Sequence, residues 1–127
     1  MAEASGNKLQ YPIDSTMADV TDERCPILHA LDIIGQKWKL PILWYLYESE
    51  TTRYNELKRR MPGITNTMLT KSLRELEESG LVLRKQYDTV PPRVEYSLTP
   101  DGQALLPTLN ELYRWGAAHM GATNKGR

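Results

Sequence analysis

The sequence predicts a mainly α-helical domain with one small two-stranded β-hairpin. Three observations predict it. From residue 25 onward apolar residues recur at helical spacing in one segment after another. The stretch richest in β-formers, residues 81–98, is interrupted by turn residues at its middle. A chain of 127 residues can bury one core of modest size and benefits from a partner subunit. Composition agrees, with 40% hydrophobic and 25% charged residues, as in globular proteins.

The elements follow in order. Residues 1–24 are polar and acidic without a clear period, and the expectation is a flexible arm. Cys25-Pro26 starts a helix, with Pro at its first position. Ile27, Leu28, Leu31 and Ile34 continue it and Gly35 stops it. A second helix over 37–47 is apolar nearly all round, so it should be central, and its Pro41 lies near the first turn, where a missing N–H costs least. A short helix over 52–61 puts Tyr54, Leu57 and Met61 on one side, and Pro62-Gly63 makes a turn. Thr65 caps a helix over 66–79, which Gly80 ends. Strands over 81–86 and 94–98 flank a tip at 88–92. Thr99 caps a final helix with Pro100 at its first position, kinked at Pro107 and ending near residue 120, with a disordered tail over 121–127. The domain proper is therefore 25–120.

Lys+Arg and Asp+Glu are 16 each, so the formal charge is +0 and nothing global marks a binder of polyanions. Placement says more. Residues 51–74 hold Arg53, Lys58, Arg59, Arg60, Lys71 and Arg74 against Glu56 alone, a net +5. On the helix over 66–79, Leu69, Ser72, Leu73 and Leu76 fall on one side, and Thr67, Thr70, Lys71, Arg74 and Glu78 fall on the other. The macrodipole would favour acids early in the helix, yet its three glutamates come late. A short helix, a tight turn and a second helix with this outer face is the helix-turn-helix plan, whose second helix meets base edges in the major groove of double-stranded DNA. Thr65, Asn66, Thr67, Thr70, Lys71 and Arg74 are then the reading residues, since Thr, Asn, Lys and Arg each match base edges or phosphates. The following hairpin, with Lys85 on its first strand and Arg93 at its tip, stands where a winged helix carries its wing. Arg53 and Lys58 lie beside this face. The fold so read is a winged helix-turn-helix, mainly α with a small hairpin. A winged helix that binds only proteins is the alternative, but it would have no need of Thr67, Thr70, Lys71 and Arg74 together.

Several segments resemble a known family. Cys25-Pro26-Ile27, Gly35-Gln36-Lys37-Trp38-Lys39, Arg53-Tyr54-Asn55-Glu56-Leu57 and Pro62-Gly63-Ile64-Thr65 resemble the HxlR family of bacterial winged-helix transcription regulators, which share a MarR-like fold. So do Leu73-Arg74-Glu75-Leu76-Glu77, Gly80-Leu81-Val82 and, most closely, the run from Val90-Pro91-Pro92-Arg93 to Ser97-Leu98-Thr99. The match covers about residues 25–119. Gln36 stands where the family often has a second glycine, and Tyr54 where it often has Phe. The resemblance implies a homodimeric DNA-binding repressor or activator, with terminal helices at the dimer interface. Independently, Leu105, Leu109, Leu112 and Met120 lie near one stripe of the last helix, with Leu106, Tyr113 and Trp115 outside it, a wider apolar surface than one small core needs.

Cys25, the sole cysteine, excludes an intrachain disulfide and a multi-thiolate zinc site. It stands at a helix start behind Arg24 and one turn before His29, an environment that favours thiolate. Some members of the resembled family use a cysteine at the matching place as a sensor of oxidants or electrophiles. The other reading of Cys25 is a small buried hydrophobe. A Cys/His nucleophile would need an oxyanion site and a pocket that no motif supplies, so no catalytic residue, metal ligand or cofactor is expected. The longest apolar run, 40–47, falls far short of a membrane span, and residues 1–8 lack an apolar stretch behind a basic start. The expectation is a cytoplasmic protein without membrane contact.

Overall fold

A computed structural model describes residues 25–125. The expected arm at 1–24 lies outside the described residues. The chain divides into two compact units after Gly35. In the first, helix α1 spans Pro26–Ile34 with Cys25 as its N-cap. Its carboxyl end closes on Gly35, whose N–H donates to the Leu31 carbonyl at 2.7 Å. No residue of α1 is buried, and Ile27 and Leu31 are half exposed.

The second unit runs α2 (Lys39–Glu48), β1 (Thr52–Arg53), α3 (Tyr54–Arg60), α4 (Asn66–Glu78), β2 (Val82–Tyr87), β3 (Arg93–Leu98), α5 (Pro100–Ala104) and α6 (Leu106–Lys125). The three strands form one antiparallel sheet in the order β1-β3-β2. The fold is a winged helix with α3 and α4 as the helix-turn-helix pair, β2 and β3 as the wing, and a third strand that the hairpin reading lacked. β1 sits at the start of the segment expected as helix 52–61. Thr52 pairs with Tyr96 and Arg53 with Glu95, so the edge of β3 takes up both residues before the helix begins.

The core gathers Ile42, Leu43 and Leu46 of α2, Leu57 of α3, Met61 and Ile64 of the turn, and Leu69, Leu73 and Leu76 of α4. Leu81, Val82, Tyr96 and Leu109 close it. α2 packs against both α4 and β3, which is why an all-round apolar helix suits it. It begins at Lys39 rather than Lys37, and Pro41 then falls in its first turn, where no N–H is required.

α4 is closed at both ends by its own sequence. Thr65 Oγ1 accepts from the Met68 N–H at 3.1 Å. At the other end Gly80 takes φ +82°, a left-handed turn that side chains disfavour. The Gly80 N–H then reaches the Glu77 carbonyl and the Leu81 N–H the Leu76 carbonyl, each at 3.0 Å, the paired bonds of a Schellman cap. Thr99 ties this end to the last helices. Its Oγ1 donates to the Gly80 carbonyl at 2.6 Å and accepts from the Gly102 N–H at 3.0 Å. A Cβ at Gly102 would collide with the Leu81 carbonyl oxygen, so the close approach needs glycine there.

The expected kink at Pro107 is a break. Pro107 has no N–H for the Gln103 carbonyl and its ring would crowd that group, so α5 ends with Leu105 N–H on the Gly102 carbonyl at 3.3 Å. α6 then restarts, with Leu109 N–H on the Leu105 carbonyl at 3.1 Å. It runs on to Lys125, past the expected end near residue 120, and Gly121 in its path costs only about 1 kcal/mol.

Candidate nucleic-acid interface

α4 turns Leu69, Ser72, Leu73 and Leu76 to the core, so Thr67, Thr70, Lys71 and Arg74 stand on the exposed side. With Asn66, Glu75 and Glu78 they line a groove of about 670 Å³ along the helix. Glu75 would cancel a cation there but is already committed. Its Oε1 lies 2.9 Å from Nζ of Lys39, a lysine buried in the core. That ammonium, helped by Lys71 and Arg74, holds the Glu75 carboxyl below the usual carboxylate range. The groove therefore carries Lys71 and Arg74 beside Glu75 and Glu78, with its acids toward the C-terminal end of the helix.

Two expected readers have a further partner. The Tyr54 hydroxyl lies 3.1 Å from Asn66 Oδ1, 3.2 Å from the Asn66 carbonyl and 3.2 Å from Thr70 Oγ1. The ring of Tyr54 shares the inner side of α3 with buried Leu57, while its hydroxyl crosses to the start of α4. The sequence placed Tyr54 with Leu57 and Met61 and so found the ring, but its period carried no sign of the hydroxyl's reach. Thr65 is the helix cap, with Oγ1 engaged by Met68.

The wing gathers the second cluster. Arg93 is not in the tip but opens β3, opposite Tyr87, because pairing runs to the last residue of β2. Its guanidinium lies 4.1 Å from the Tyr87 ring centre and its Nε 3.2 Å from Glu95 Oε2. Lys85 Nζ stands 5.1 Å from the same ring, and the Tyr87 hydroxyl donates to Glu95 Oε1 at 3.2 Å. In register, Arg53 and Lys85 both pair with Glu95, from opposite sides of β3. Glu95 is thus ion-paired with Arg93 and flanked in register by Arg53 and Lys85, and Arg53 and Arg93 line a groove of about 530 Å³ with Asn55, Glu56, Arg59 and Pro92. Asn55 and Arg59 were not singled out from the sequence.

The basic block of the middle of the chain does not all line the two grooves. Arg60 is ion-paired with Glu48 and lies 4.3 Å over the Tyr45 ring, which binds it to the body of the unit. Lys58 is half-buried and lines neither groove. Cys25 has no exposed surface, and its side chain makes no capping hydrogen bond. Among the described residues no three His, Cys, Asp or Glu side chains cluster as a metal site, and no helix is long and apolar enough to cross a membrane.

Comparison with known proteins places this geometry. A family model described as HxlR-like helix-turn-helix matches residues 33–124. An uncharacterised HTH-type transcriptional regulator of Bacillus subtilis, YdzF, is 43% identical over 99 residues, which are 78% of this chain and 91% of that protein. The redox regulator HypR in its oxidized form superposes with a TM-score of 0.70 at 45% identity, covering 74% of this chain and 96% of that one. The reduced form of the transcriptional regulator YodB from B. subtilis gives 0.64 at 32% identity, covering 72% and 89%. These relatives are transcriptional regulators, not enzymes.

Proposed function

The chain belongs to the HxlR-like helix-turn-helix family of transcriptional regulators, and from that premise we propose that it reads an inverted-repeat operator in double-stranded DNA as a homodimer. The observation that carries this reading is the outer face of α4, where Asn66, Thr67, Thr70, Lys71 and Arg74 line one groove and Glu75 is ion-paired with Lys39. α4 enters the major groove, where Thr67 and Arg74 meet base edges and Lys71 a base or a phosphate. The wing groove, with Arg53 and Arg93, receives the backbone of the flanking duplex. A homodimer repeats this arrangement about a two-fold axis, hence the inverted repeat. The exposed Leu112, Tyr113, Trp115 and Met120 of α6 supply the apolar surface for pairing. The place of action is the cytoplasm.

Selection from randomised duplexes followed by titration tests it. Arg74→Ala should lose about 1–3 kcal/mol on the recovered operator and relax preference at one base pair. Unchanged affinity and preference in both Arg74→Ala and Lys71→Ala would remove α4 from the interface.

A second element of the proposal is a thiol input at Cys25, supported by the redox regulators among the structural relatives. A thiol without exposed surface reacts only through local opening, so the response to a small electrophile or oxidant should be slow. Diamide, which would join Cys25 to the Cys25 of a second subunit or to an added small thiol while being reduced to the hydrazine, should weaken operator binding over minutes to hours in the parent protein and leave Cys25→Ser unaffected. Equal loss in both proteins would make Cys25 a packing residue.

A further inference from the structure

We propose that Tyr54 is a specificity-setting residue: its hydroxyl fixes which hydrogen-bonding atoms Asn66 and Thr70 present to the bases. The inference rests on the reading of α4 as the DNA-reading helix. Tyr54 lies outside the expected set of reading residues, and its ring is half-buried on α3.

A phenol hydroxyl has one proton to give. Around it stand the Asn66 carbonyl and Asn66 Oδ1, which can only accept, and Thr70 Oγ1, which can do either. An arrangement that satisfies all four groups sends the Tyr54 proton toward the two Asn66 oxygens and takes the Thr70 proton onto the Tyr54 oxygen. Asn66 is then held by its oxygen, and its Nδ2 is the atom left for a base. Thr70 has spent its proton and offers lone pairs and a methyl group.

The consequence is a restricted code. A free Asn makes a two-point contact with adenine, accepting from N6 while donating to N7. With Oδ1 engaged, Asn66 acts chiefly as a donor and favours a base that presents acceptors alone, such as the N7 and O6 of guanine. Thr70, now an acceptor, favours the amino group of cytosine or adenine, or a thymine methyl through its own methyl. Phe at position 54 would keep the ring in the same packing and release both readers. Asn66 could then rotate its amide, and Thr70 could donate.

Tyr54→Phe tests this in the full chain. Selection of bound sequences from randomised duplexes is run for the parent, Tyr54→Phe, Asn66→Ala and Thr70→Ala, with thermal unfolding of each and the salt dependence of binding to a non-specific duplex. The two alanine variants identify the base pairs under Asn66 and Thr70. The expected result is a recovered sequence changed at those base pairs only, with roughly tenfold of discrimination lost there. Tm and the non-specific salt slope should match the parent. An unchanged recovered sequence with unchanged discrimination overturns the proposal. So does uniform weakening on all sequences, which would mean that the hydroxyl only braces α3 against α4. A parent protein that selects no sequence overturns the DNA-reading function itself and this inference with it. That failure is distinct, because the first two require a parent sequence to compare against.

Discussion

α4 and α6 are the two longest helices of the second unit, and they leave opposite kinds of surface uncovered. α4 buries Leu69, Ser72, Leu73 and Leu76 within its own unit and shows solvent a face of hydroxyls and cations that ends in Glu77 and Glu78. α6 buries Leu109 and leaves Leu112, Tyr113, Trp115 and Met120 between half and two-thirds exposed. The apolar stripe of α4 is satisfied inside its unit, so its outer chemistry is free to serve a charged ligand. The apolar surface of α6 is larger than its own unit covers, even with Tyr113 stacked 5.3 Å from Trp44. One helix therefore completes the fold and leaves a polar demand, and the other leaves a hydrophobic one. In the proposed homodimer a second copy meets the hydrophobic demand and DNA the polar one.

The contrast can be broken from its buried side. Leu73 is 2% exposed, and Leu73→Ala should cost about 2–5 kcal/mol, read as a lower urea midpoint at unchanged slope. A loss under 1 kcal/mol would mean that α4 does not anchor the core. The contrast is sharpened from the other helix. Leu112→Lys should leave the unfolding of dilute protein unchanged and raise the dimer dissociation constant about tenfold or more, since burying a leucine contributes about 1.5–3 kcal/mol. Sedimentation at a series of concentrations reads this. An unaltered association would release α6 from the proposed interface.

The two helices were also legible to different degrees. The faces of α4 follow from a 3.6-residue period and need no knowledge of neighbours, so Leu69, Leu73 and Leu76 could be placed inward and Thr67, Lys71 and Arg74 outward from the sequence. The period of α6 gave a wide apolar surface, but which part its own unit takes depends on tertiary packing. β1 was invisible because two residues carry no period and their partner strand lies far along the chain. Arg93 was expected in the tip because pairing at the end of a strand is decided by the residue opposite, here Tyr87. The burial of Lys39 depends on a partner on α4, which no local pattern encodes. Thr65 was expected to read DNA and also to cap the helix; its capping bond to Met68 is present.

The break before Pro107 has a mechanical consequence. α6 is 20 residues long and so about 30 Å from end to end. It is joined to the Thr99–Gly102 staple through the single turn at Leu105. A lever of that length converts roughly 10° of rotation at its joint into about 5 Å of travel at its far end. The distance that α6 reaches is therefore set jointly by the few backbone angles around Leu105 and by the two contacts that hold the helix beyond it, buried Leu109 and the Tyr113–Trp44 stack.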